Sequence, residues 1–407
     1  MQALFLIFLK FFCFLSSTIF ESMGFQYLGP VDGHDVENLI TLLRSARDMR
    51  CPMVLHVMTQ KGHGYAPAEE HPKLFHGIGK FDPITGEPLK KSVPTFSEAF
   101  GQEMVRLAGE DPRICAITAA MPGGTGLLDF KKQYPKHLFD VGIAEEHAVS
   151  MAGGLAKQGM IPVVALYSTF LQRAYDMILQ DICMLKLHVI LAVDRAGLVG
   201  EDGETHHGVF DVGFLRQAPG LTVLCPGSRK ELQEMLRWAV YEQEGPVAIR
   251  YPRGGNGAYV DSAWDSCSLP QRNGALCCHR TGNDVTLLTY GPMVQNAMDA
   301  AALLEKRGIQ ATVLRLMTVS PLPVDQIIGN LSDRRIVMIL EDTCSGSGIY
   351  EPLSAALAQR LPDCKIMRAD LGHCYVPHGA VNVLHKHYGL DAESIANKVE
   401  EVCHSEN

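Results

Sequence analysis

Two adjacent glutamates stand at a position where proton chemistry is common. Glu145 and Glu146 lie in the segment DVGIAEEHAVSMAGG, where a predicted strand runs into a predicted helix. A glutamate held against an apolar strand end can share a proton with a heterocycle nitrogen, because burial shifts its pKa towards that of the nitrogen. Acids at a helix N-terminus also stabilise the helix dipole, so a structural role for the pair stays open.

An aromatic and cationic group follows the next apolar strand. Tyr167, Phe170 and Arg173 lie in the segment YSTFLQRAYDM, directly after IPVVALY. At helical spacing Phe170 and Arg173 share one face, where the ring can stack on a planar ligand and the guanidinium can bind an anion. A core phenylalanine beside a surface arginine is the structural alternative.

A glycine-rich loop after a third strand collects charged residues and histidines. The segment DRAGLVGEDGETHHGVFD contains Asp194, Arg195, Glu201, Asp202, Glu204, His206, His207 and Asp211. The density of acids and histidines suggests metal ligands, but no pair of histidines and carboxylate has the helical spacing of a metal site. The loop instead favours an acid/base histidine and an arginine that binds an anionic substrate. We therefore predict no metal-ligating residues.

Two further segments could bind a phosphorylated ligand. Arg250 and Arg253 lie at a strand end beside glycines in AIRYPRGG, which suits a phosphate clamp or a solvated basic corner. Glycines in KGHGYAPAEEHPKLFHGIGK let the backbone approach a ligand closely, and Lys61, Tyr65 and His76 could line that pocket. The sequence contains neither GxGxxG nor GxxxxGK[ST], so neither common nucleotide-binding loop is predicted.

Strands must position these residues, and the apolar pattern predicts parallel α/β architecture. From about residue 95, apolar strands alternate with amphipathic helices, which is typical of parallel sheets covered by helices. Ligands of such sheets bind at the carboxyl ends of the strands, where the segments above lie. The periodicity fails at about 67–94 and 254–283, which we interpret as linkers.

Composition limits the class of protein. The 407 residues are 47% hydrophobic and 20% charged, which excludes a disordered or fibrous chain. The net charge of −9 argues against a dedicated nucleic-acid binder, which would carry a basic face. The 12 cysteines include no C-x-x-C pair, so we predict free thiols in a cytoplasmic protein.

The first twenty residues differ in composition from the rest of the chain. They are largely Leu, Ile and Phe, with Lys10 inside the apolar run. A signal peptide would carry its charge before that run, and a transmembrane helix would tolerate Lys10 near its centre only at high cost. An atypical anchor stays open, but we favour a start unrelated to the enzyme-like remainder.

Together the motifs resemble the 1-deoxy-D-xylulose-5-phosphate synthases, which are thiamine-diphosphate enzymes of the transketolase superfamily. The resemblance runs from about residue 20 to the C-terminus, through FQYLGPVDGHDV, KGHGYAPAE, FHGIGKFDP, DVGIAEEHAV, YSTFLQRAYDM, DRAGLVGEDGETHHG and RYPRG. It implies a remnant of a first α/β domain at 20–93, after an unrelated segment at 1–19. A transketolase-like pyrimidine-binding domain at 94–256 and a transketolase C-terminal-like α/β domain at 275–407 would follow.

The resemblance also assigns a cofactor site. Glu145 is similar to the glutamate that contacts N1′ of the thiamine diphosphate aminopyrimidine and favours the imino tautomer, whose nitrogen takes the thiazolium C2 proton. Phe170 is similar to the residue that packs on this ring. Tyr65 matches another cofactor contact, and we place Arg173 with them. The family also uses Mg²⁺.

The substrate residues follow in the same way. In this family pyruvate loses CO₂ and its remaining carbons join glyceraldehyde 3-phosphate, in a step towards isoprenoids, thiamine and pyridoxal. The resemblance implies phosphate binding by Arg195 and Arg253. Residues matching the rest of the substrate pocket are Tyr167, Asp202, His206 and His76, to which we add Lys61. His206 and His76 join Glu145 as predicted catalytic residues.

One departure from the family is large. Its N-terminal region carries a GDG motif and a later asparagine that bind Mg²⁺ and the diphosphate, whereas this sequence contains no GDG. We therefore expect a C-terminal part of the enzyme whose activity alone is impaired. Alternatives are one subunit of a split synthase, completed by a partner chain, or an inactive fragment that dimerises. The resemblance implies a homodimer.

Overall fold

A computed structural model describes residues 18–72, 74–76, 78–89, 94–254, 276–332 and 335–404. The chain divides into two compact units, at 1–92 and 93–407. The interpretation of residues 1–19 falls mostly outside the described part of the chain.

The first unit contains a small parallel sheet. Its elements are α1 (Thr18–Ser22), β1 (Gln26–Asp32), α2 (Val36–Asp48), β2 (Met53–Met58), α3 (Ala66–Glu70) and a 3₁₀ turn at Leu74–His76. β1 pairs with β2 in parallel, as expected for a β-α-β unit. Asp35 caps α2 by accepting a hydrogen bond from the Asn38 amide at 3.0 Å. No residue of α2 is buried, and its apolar Val36, Ile40 and Leu43 are exposed.

The second unit contains two sheets. The strands are β3 (Ile114–Thr118), β4 (Leu138–Asp140), β5 (Ile161–Tyr167), β6 (Ile190–Asp194), β7 (Thr222–Leu224), β8 (Val247–Tyr251), β9 (Leu276–Arg280), β10 (Val285–Tyr290), β11 (Ala311–Leu316), β12 (Thr318–Ser320), β13 (Ile336–Leu340) and β14 (Lys365–Ala369). A seven-stranded sheet has the order β12-β7-β8-β6-β5-β3-β4, and a five-stranded sheet has the order β14-β13-β10-β11-β9. Within these two sheets every pairing is parallel except β12 with β7 and β9 with β11.

Helices connect the strands of both sheets. They are α4 (Phe96–Glu110), α5 (Leu128–Gln133), α6 (Glu145–Lys157), α7 (Ser168–Leu171), α8 (Tyr175–Met177), α9 (Asp211–Arg216), α10 (Arg229–Tyr241), α11 (Val294–Lys306), α12 (Val324–Ile328), α13 (Tyr350–Arg360), α14 (Val381–His387) and α15 (Ala392–His404). α4 begins with a full capping box between Thr95 and Glu98.

The apolar strand runs explain the parallel core. Every residue of β3, β6 and β8 is buried, because a parallel strand covered on both faces needs apolar side chains throughout. The predicted parallel α/β architecture is confirmed. Three details were wrong. β9 lies inside the stretch interpreted as the second linker, α3 and the 3₁₀ turn at Leu74–His76 lie inside the first, and the helix expected after β5 is divided by 3₁₀ and π turns.

The prediction of free thiols holds with one exception. Among the described cysteines the free ones are Cys51, Cys115, Cys183, Cys225, Cys278, Cys344, Cys364, Cys374 and Cys403. Cys277 is disulfide-bonded, which corrects the prediction at that position. Adjacent Cys278 is free, so the two neighbours are not bonded to each other.

Buried ion pairs join the two sheets of the second unit. Arg315 on β11 donates two hydrogen bonds to Glu231 on α10, at 2.9 and 3.1 Å. Both side chains are almost fully buried. Arg250 on β8 donates to Asp211 at 2.9 Å and stacks on the Tyr290 ring at 5.3 Å. Because buried charges need partners, these pairs fix how the sheets pack.

Glu341 should make stability depend on pH. It follows β13, is fully buried, and accepts hydrogen bonds from the Ile349 amide (2.7 Å), the Tyr350 amide (3.0 Å) and the Tyr290 hydroxyl (2.9 Å). Burial raises its pKa from 4.5 to about 7. Since the folded state then holds the proton more tightly than the unfolded state, the stabilisation is complete below the unfolded pKa and is lost as pH rises through about 7.

We expect the free energy of unfolding to fall by roughly 2–3 kcal/mol between about pH 4.5 and 8 through this group. Glu341→Gln should flatten that slope, as measured by urea unfolding at several pH values. Glu401→Gln, which removes an exposed carboxylate, is the matched control. An unchanged slope in Glu341→Gln would contradict the assignment.

Candidate active site

The candidate site lies at the carboxyl edge of the seven-stranded sheet. β5, β6 and β8 are neighbours and run in parallel, so their carboxyl ends meet. Tyr167 ends β5, Arg195 follows β6, and Arg253 follows β8. The sheet topology thus brings together residues that are distant in the sequence.

Glu145 has one carboxylate oxygen without a protein partner. It begins α6 and is 2% exposed. Its Oε1 accepts a hydrogen bond from Arg173 Nη1 at 2.8 Å, whereas Oε2 is buried and has no hydrogen-bond partner among the described residues. A buried acceptor of this kind needs a donor, because an unpaired one is costly. Oε2 therefore fits a protonated ring nitrogen of a bound heterocycle, and the aminopyrimidine of thiamine diphosphate is such a group.

Aromatic rings form a continuous row beside this carboxylate. The Phe170 and Tyr167 rings stack with centroids 5.8 Å apart. The Arg173 guanidinium lies 5.0 Å from the Phe170 centroid, and the His206 ring meets Phe170 edge-on at 5.4 Å. The Arg195 guanidinium lies 3.9 Å from the Tyr167 centroid. The row offers a planar ligand an aromatic surface between two cations.

Arg195 is held in place by Asp194 and by two groups that the sequence did not single out, Gly124 and Ser97. Its Nη1 donates to the Gly124 carbonyl at 2.6 Å and the Ser97 hydroxyl at 3.2 Å, and lies 3.0 Å from Asp194 Oδ1. Ser97 also donates to Asp194 Oδ2 at 2.7 Å. The Arg195 backbone has a φ of +61°, a strained value for a residue with a side chain.

Burial raises the pKa of Asp194, while the adjacent guanidinium opposes that shift. A Cβ on Gly124 would lie 1.9 Å from the Tyr167 hydroxyl, so a glycine is needed there for this ring to reach its place. Ser97 lies far from Asp194 and Arg195 in the sequence, and no local pattern could have indicated its role.

A second group lies on the loop between β6 and α9. Arg253 pairs with Asp202 at 3.0 Å and donates from Nη1 to the Val199 carbonyl at 3.1 Å. His206 Nδ1 lies 2.9 Å from the Thr205 hydroxyl. The loop thus places an acid and a histidine at the edge of the sheet where Arg253 follows β8. Glu201 lies in a 3₁₀ turn at Gly200–Asp202.

Three predicted site residues lie in the first unit. The Tyr65 hydroxyl donates to the Pro83 carbonyl at 3.0 Å, and its ring packs against Phe75. Lys61 and His76 are exposed. Their predicted cofactor and substrate contacts stay predictions, as do the roles of the residues in the second unit.

Over the described ranges, no three His, Cys, Asp or Glu side chains are grouped in a way that could hold a metal ion. Within the same ranges, no helix is both long enough and apolar enough to cross a membrane.

Family models identify the domain types that contain the two sheets of the second unit. Residues 92–256 match the transketolase pyrimidine-binding domain, and residues 274–395 match the transketolase C-terminal domain. The chain belongs to the transketolase superfamily. Residues 8–59 match the N-terminal profile of 1-deoxy-D-xylulose-5-phosphate synthase, a thiamine-dependent branch of this superfamily by the resemblance above.

Individual relatives indicate which family of the transketolase superfamily this chain resembles. The 1-deoxy-D-xylulose-5-phosphate synthase of Heliobacterium modesticaldum is 44% identical over 388 residues, covering 95% of this chain and 59% of the relative. That of Desulforudis audaxviator is 45% identical over 392 residues, covering 95% and 60%. The resemblance to these synthases is confirmed. The chain spans about 60% of the length of these relatives.

Solved structures agree with the transketolase fold. A structure described as "Split gene transketolase, inactive beta4 tetramer" is 27% identical, with a TM-score of 0.65, and covers 76% of this chain and 98% of that one. A transketolase from Pichia stipitis, 16% identical with a TM-score of 0.60, covers 77% of this chain and 46% of that one. The second comparison shows the fold alone.

Proposed function

We propose that this chain supplies the pyrimidine-binding side of a 1-deoxy-D-xylulose-5-phosphate synthase active site. The supporting observation is the unpartnered Oε2 of buried Glu145 beside the Phe170 ring. When bound, thiamine diphosphate supplies the nucleophilic carbon that attacks pyruvate. The chain's residues orient it: Glu145 would accept a hydrogen bond from the protonated ring nitrogen, Arg173 holds that carboxylate in place at 2.8 Å, and Phe170 would pack on the ring.

The same proposal assigns the substrate residues. Arg195 and Arg253 would bind the phosphate of glyceraldehyde 3-phosphate, because both cations lie at the same sheet edge as Glu145. Tyr167, Asp202 and His206 would line the pocket, with His206 moving protons to and from the substrate oxygens. By the family resemblance, Tyr65 would contact the cofactor, and Lys61 and His76 would contact the substrate. The products would be CO₂ and a precursor of isoprenoids, thiamine and pyridoxal, made in the cytoplasm.

We further propose that full activity needs a GDG-containing domain, which would bind Mg²⁺ and the diphosphate; as an alternative to a truncated synthase, a partner chain would supply it. Two observations support this. α2 presents Val36, Ile40 and Leu43 to solvent with no residue buried, which is typical of a helix whose apolar face packs on another surface. The similar split-gene transketolase chain is described as inactive in its tetramer of one subunit type. Homodimerisation through the second unit is part of the same proposal.

One experiment tests these statements together. The full chain is titrated calorimetrically with thiamine diphosphate and Mg²⁺, alone and with the GDG-containing N-terminal domain of a synthase from the family. CO₂ release from pyruvate and glyceraldehyde 3-phosphate is measured in parallel. We expect weak binding and little turnover alone, and a strong gain of both with the added domain.

The other outcomes are decisive in different ways. Micromolar binding and turnover by this chain alone would keep the synthase function and exclude the need for a partner. Neither binding nor turnover in any mixture, with a dimer seen by sedimentation velocity, would overturn the synthase function and leave an inactive dimerising fragment.

A further inference from the structure

The loop that carries Asp202 and His206 is closed at its base and projects from the sheet. Gly197 and Gly208 exchange two backbone hydrogen bonds of 2.8 Å, so residues 198–207 form a compact loop whose ends meet. We call these residues the 198–207 loop. Between its ends, the Thr169 hydroxyl of the same domain donates to the Thr205 carbonyl at 3.1 Å, and a segment of the C-terminal transketolase domain holds other positions of the loop.

His207 connects this loop to the C-terminal transketolase domain. Its side chain is buried, and Nδ1 accepts a hydrogen bond from the Val199 amide at 3.1 Å. Nε2 therefore carries the proton and donates it to the Pro377 carbonyl at 3.2 Å. Burial lowers the pKa of His207, which favours this neutral form. One imidazole thus bridges the Val199 backbone to that of Pro377, which lies 170 positions after His207.

The segment 376–381 makes further contacts with the same loop. The Gly379 amide donates to the Gly200 carbonyl at 3.3 Å. A Cβ on Gly203 would lie 3.4 Å from the His378 Cβ, and one on Gly200 would lie 3.1 Å from the Gly379 carbonyl oxygen. The two backbones therefore pack closely, and the small residues of GLVGEDGETHHG have a packing role.

The bridge continues to the predicted substrate residues. Val199 donates its amide to His207 and accepts Arg253 Nη1 on its carbonyl at 3.1 Å. Arg253 in turn pairs with Asp202 at 3.0 Å. The position of the Asp202 and Arg253 pair is thereby coupled, through the backbone of the single residue Val199, to the position of the C-terminal domain.

We propose that His207 is a positioning residue that fixes the 198–207 loop on segment 376–381, so that the C-terminal transketolase domain sets the geometry of Asp202 and Arg253. The role of the Asp202 and Arg253 pair in substrate binding rests on the proposed function. The mechanical coupling does not, because it follows from contacts within the second unit.

Hydrogen–deuterium exchange on the full chain tests the coupling without cofactor or substrate. His207→Ala should accelerate exchange of the amides in 198–206 by about tenfold, the effect of losing a bridging hydrogen bond at a buried site. His207→Gln, which keeps a donor and an acceptor, should restore most of the protection. His188→Ala is the matched control, since both ring nitrogens of His188 also lie 3.3 Å from backbone carbonyl oxygens, but away from this loop.

A second variant approaches the contact from the other side. Gly379→Pro removes the amide that donates to Gly200 and leaves every loop side chain unchanged, so it should also accelerate exchange in 198–206. Equal exchange of 198–206 in His207→Ala, Gly379→Pro and His188→Ala would overturn the proposal. So would acceleration spread evenly over the whole second unit, which would indicate general destabilisation. The Gly379→Pro variant also keeps the test valid if His207→Ala fails to fold.

A kinetic measurement separates this inference from the proposed function. In the mixture with the GDG-containing domain, His207→Ala should raise the KM for glyceraldehyde 3-phosphate about tenfold, with a smaller effect on thiamine diphosphate affinity. If no mixture is active, the proposed function fails while the exchange result still decides the coupling. If the mixture is active and KM is unchanged despite faster exchange, the loop is coupled to the domain but does not position the substrate.

Discussion

Replacing Glu145 by glutamine is expected to lower the rate of pyruvate decarboxylation by about 10²–10⁴-fold, in the preparation that is active with the GDG-containing domain. The amide keeps an oxygen for Arg173 but, unlike a carboxyl group, cannot exchange a proton with a ring nitrogen. Because the carboxylate is 2% exposed and its Oε2 has no hydrogen-bond partner in the part of the chain that the structure describes, solvent does not readily replace it. The fold should be retained, since the side chain has nearly the same shape.

The adjacent glutamate provides the control for this experiment. Glu146 is exposed, so Glu146→Gln removes the same charge one residue away without touching the buried position. Thermal unfolding and thiamine diphosphate affinity are measured for both variants beside the rate. Equal rates in the two variants would remove Glu145 from the proposed site, whereas a loss confined to Glu145→Gln with an unchanged unfolding temperature would support it.

Replacing Arg315 by methionine should cost about 3–5 kcal/mol in the free energy of unfolding. Arg315 is fully buried and pairs with Glu231 through two hydrogen bonds, while its Nε contacts His279 at 3.2 Å. Its removal leaves the Glu231 carboxylate buried without its main counter-charge. Since the pair joins α10 to β11, the loss should weaken the packing of the two sheets of the second unit.

Urea unfolding followed by circular dichroism measures this cost. The double variant Glu231→Gln with Arg315→Met removes both charges, so it should be clearly more stable than Arg315→Met alone. Arg360→Met provides a surface control, because Arg360 pairs with exposed Asp325 and its loss should change stability far less. A double variant as unstable as the sum of the single variants would show that the charges do not interact in this way.

Most of the fold could be predicted from residue patterns within short stretches of the sequence. Fully apolar strands such as β6 and β8 indicate a sheet that is covered on both faces. The polar segments that follow them predict a site at the edge of that sheet. β9 and β12 were missed for different reasons. β12 has three residues, which is too short for a periodic pattern, and β9 mixes cysteines, a histidine and an arginine in a stretch without alternation.

Some residues of the candidate site could likewise be predicted from local patterns, and others could not. Glu145, Phe170 and Arg173 could be proposed together because the helix spacing and the motif resemblance both act over short distances. Ser97 could not, because its contact with Asp194 spans 97 positions and depends on how α4 meets the end of β6. The same holds for the Pro377 carbonyl that His207 reaches, since a backbone acceptor leaves no trace in residue type.

The pairing of β12 with β7 has a consequence for how this protein is made. Thr318–Ser320 covers the edge of a sheet whose other strands end at Tyr251, with Thr318 opposite Leu224 and Ser320 opposite Val223. A ribosome would therefore have to translate beyond residue 320 before that sheet could close its open side. Until then β7 would present unpaired amides and carbonyls, which are the groups through which nascent chains join one another.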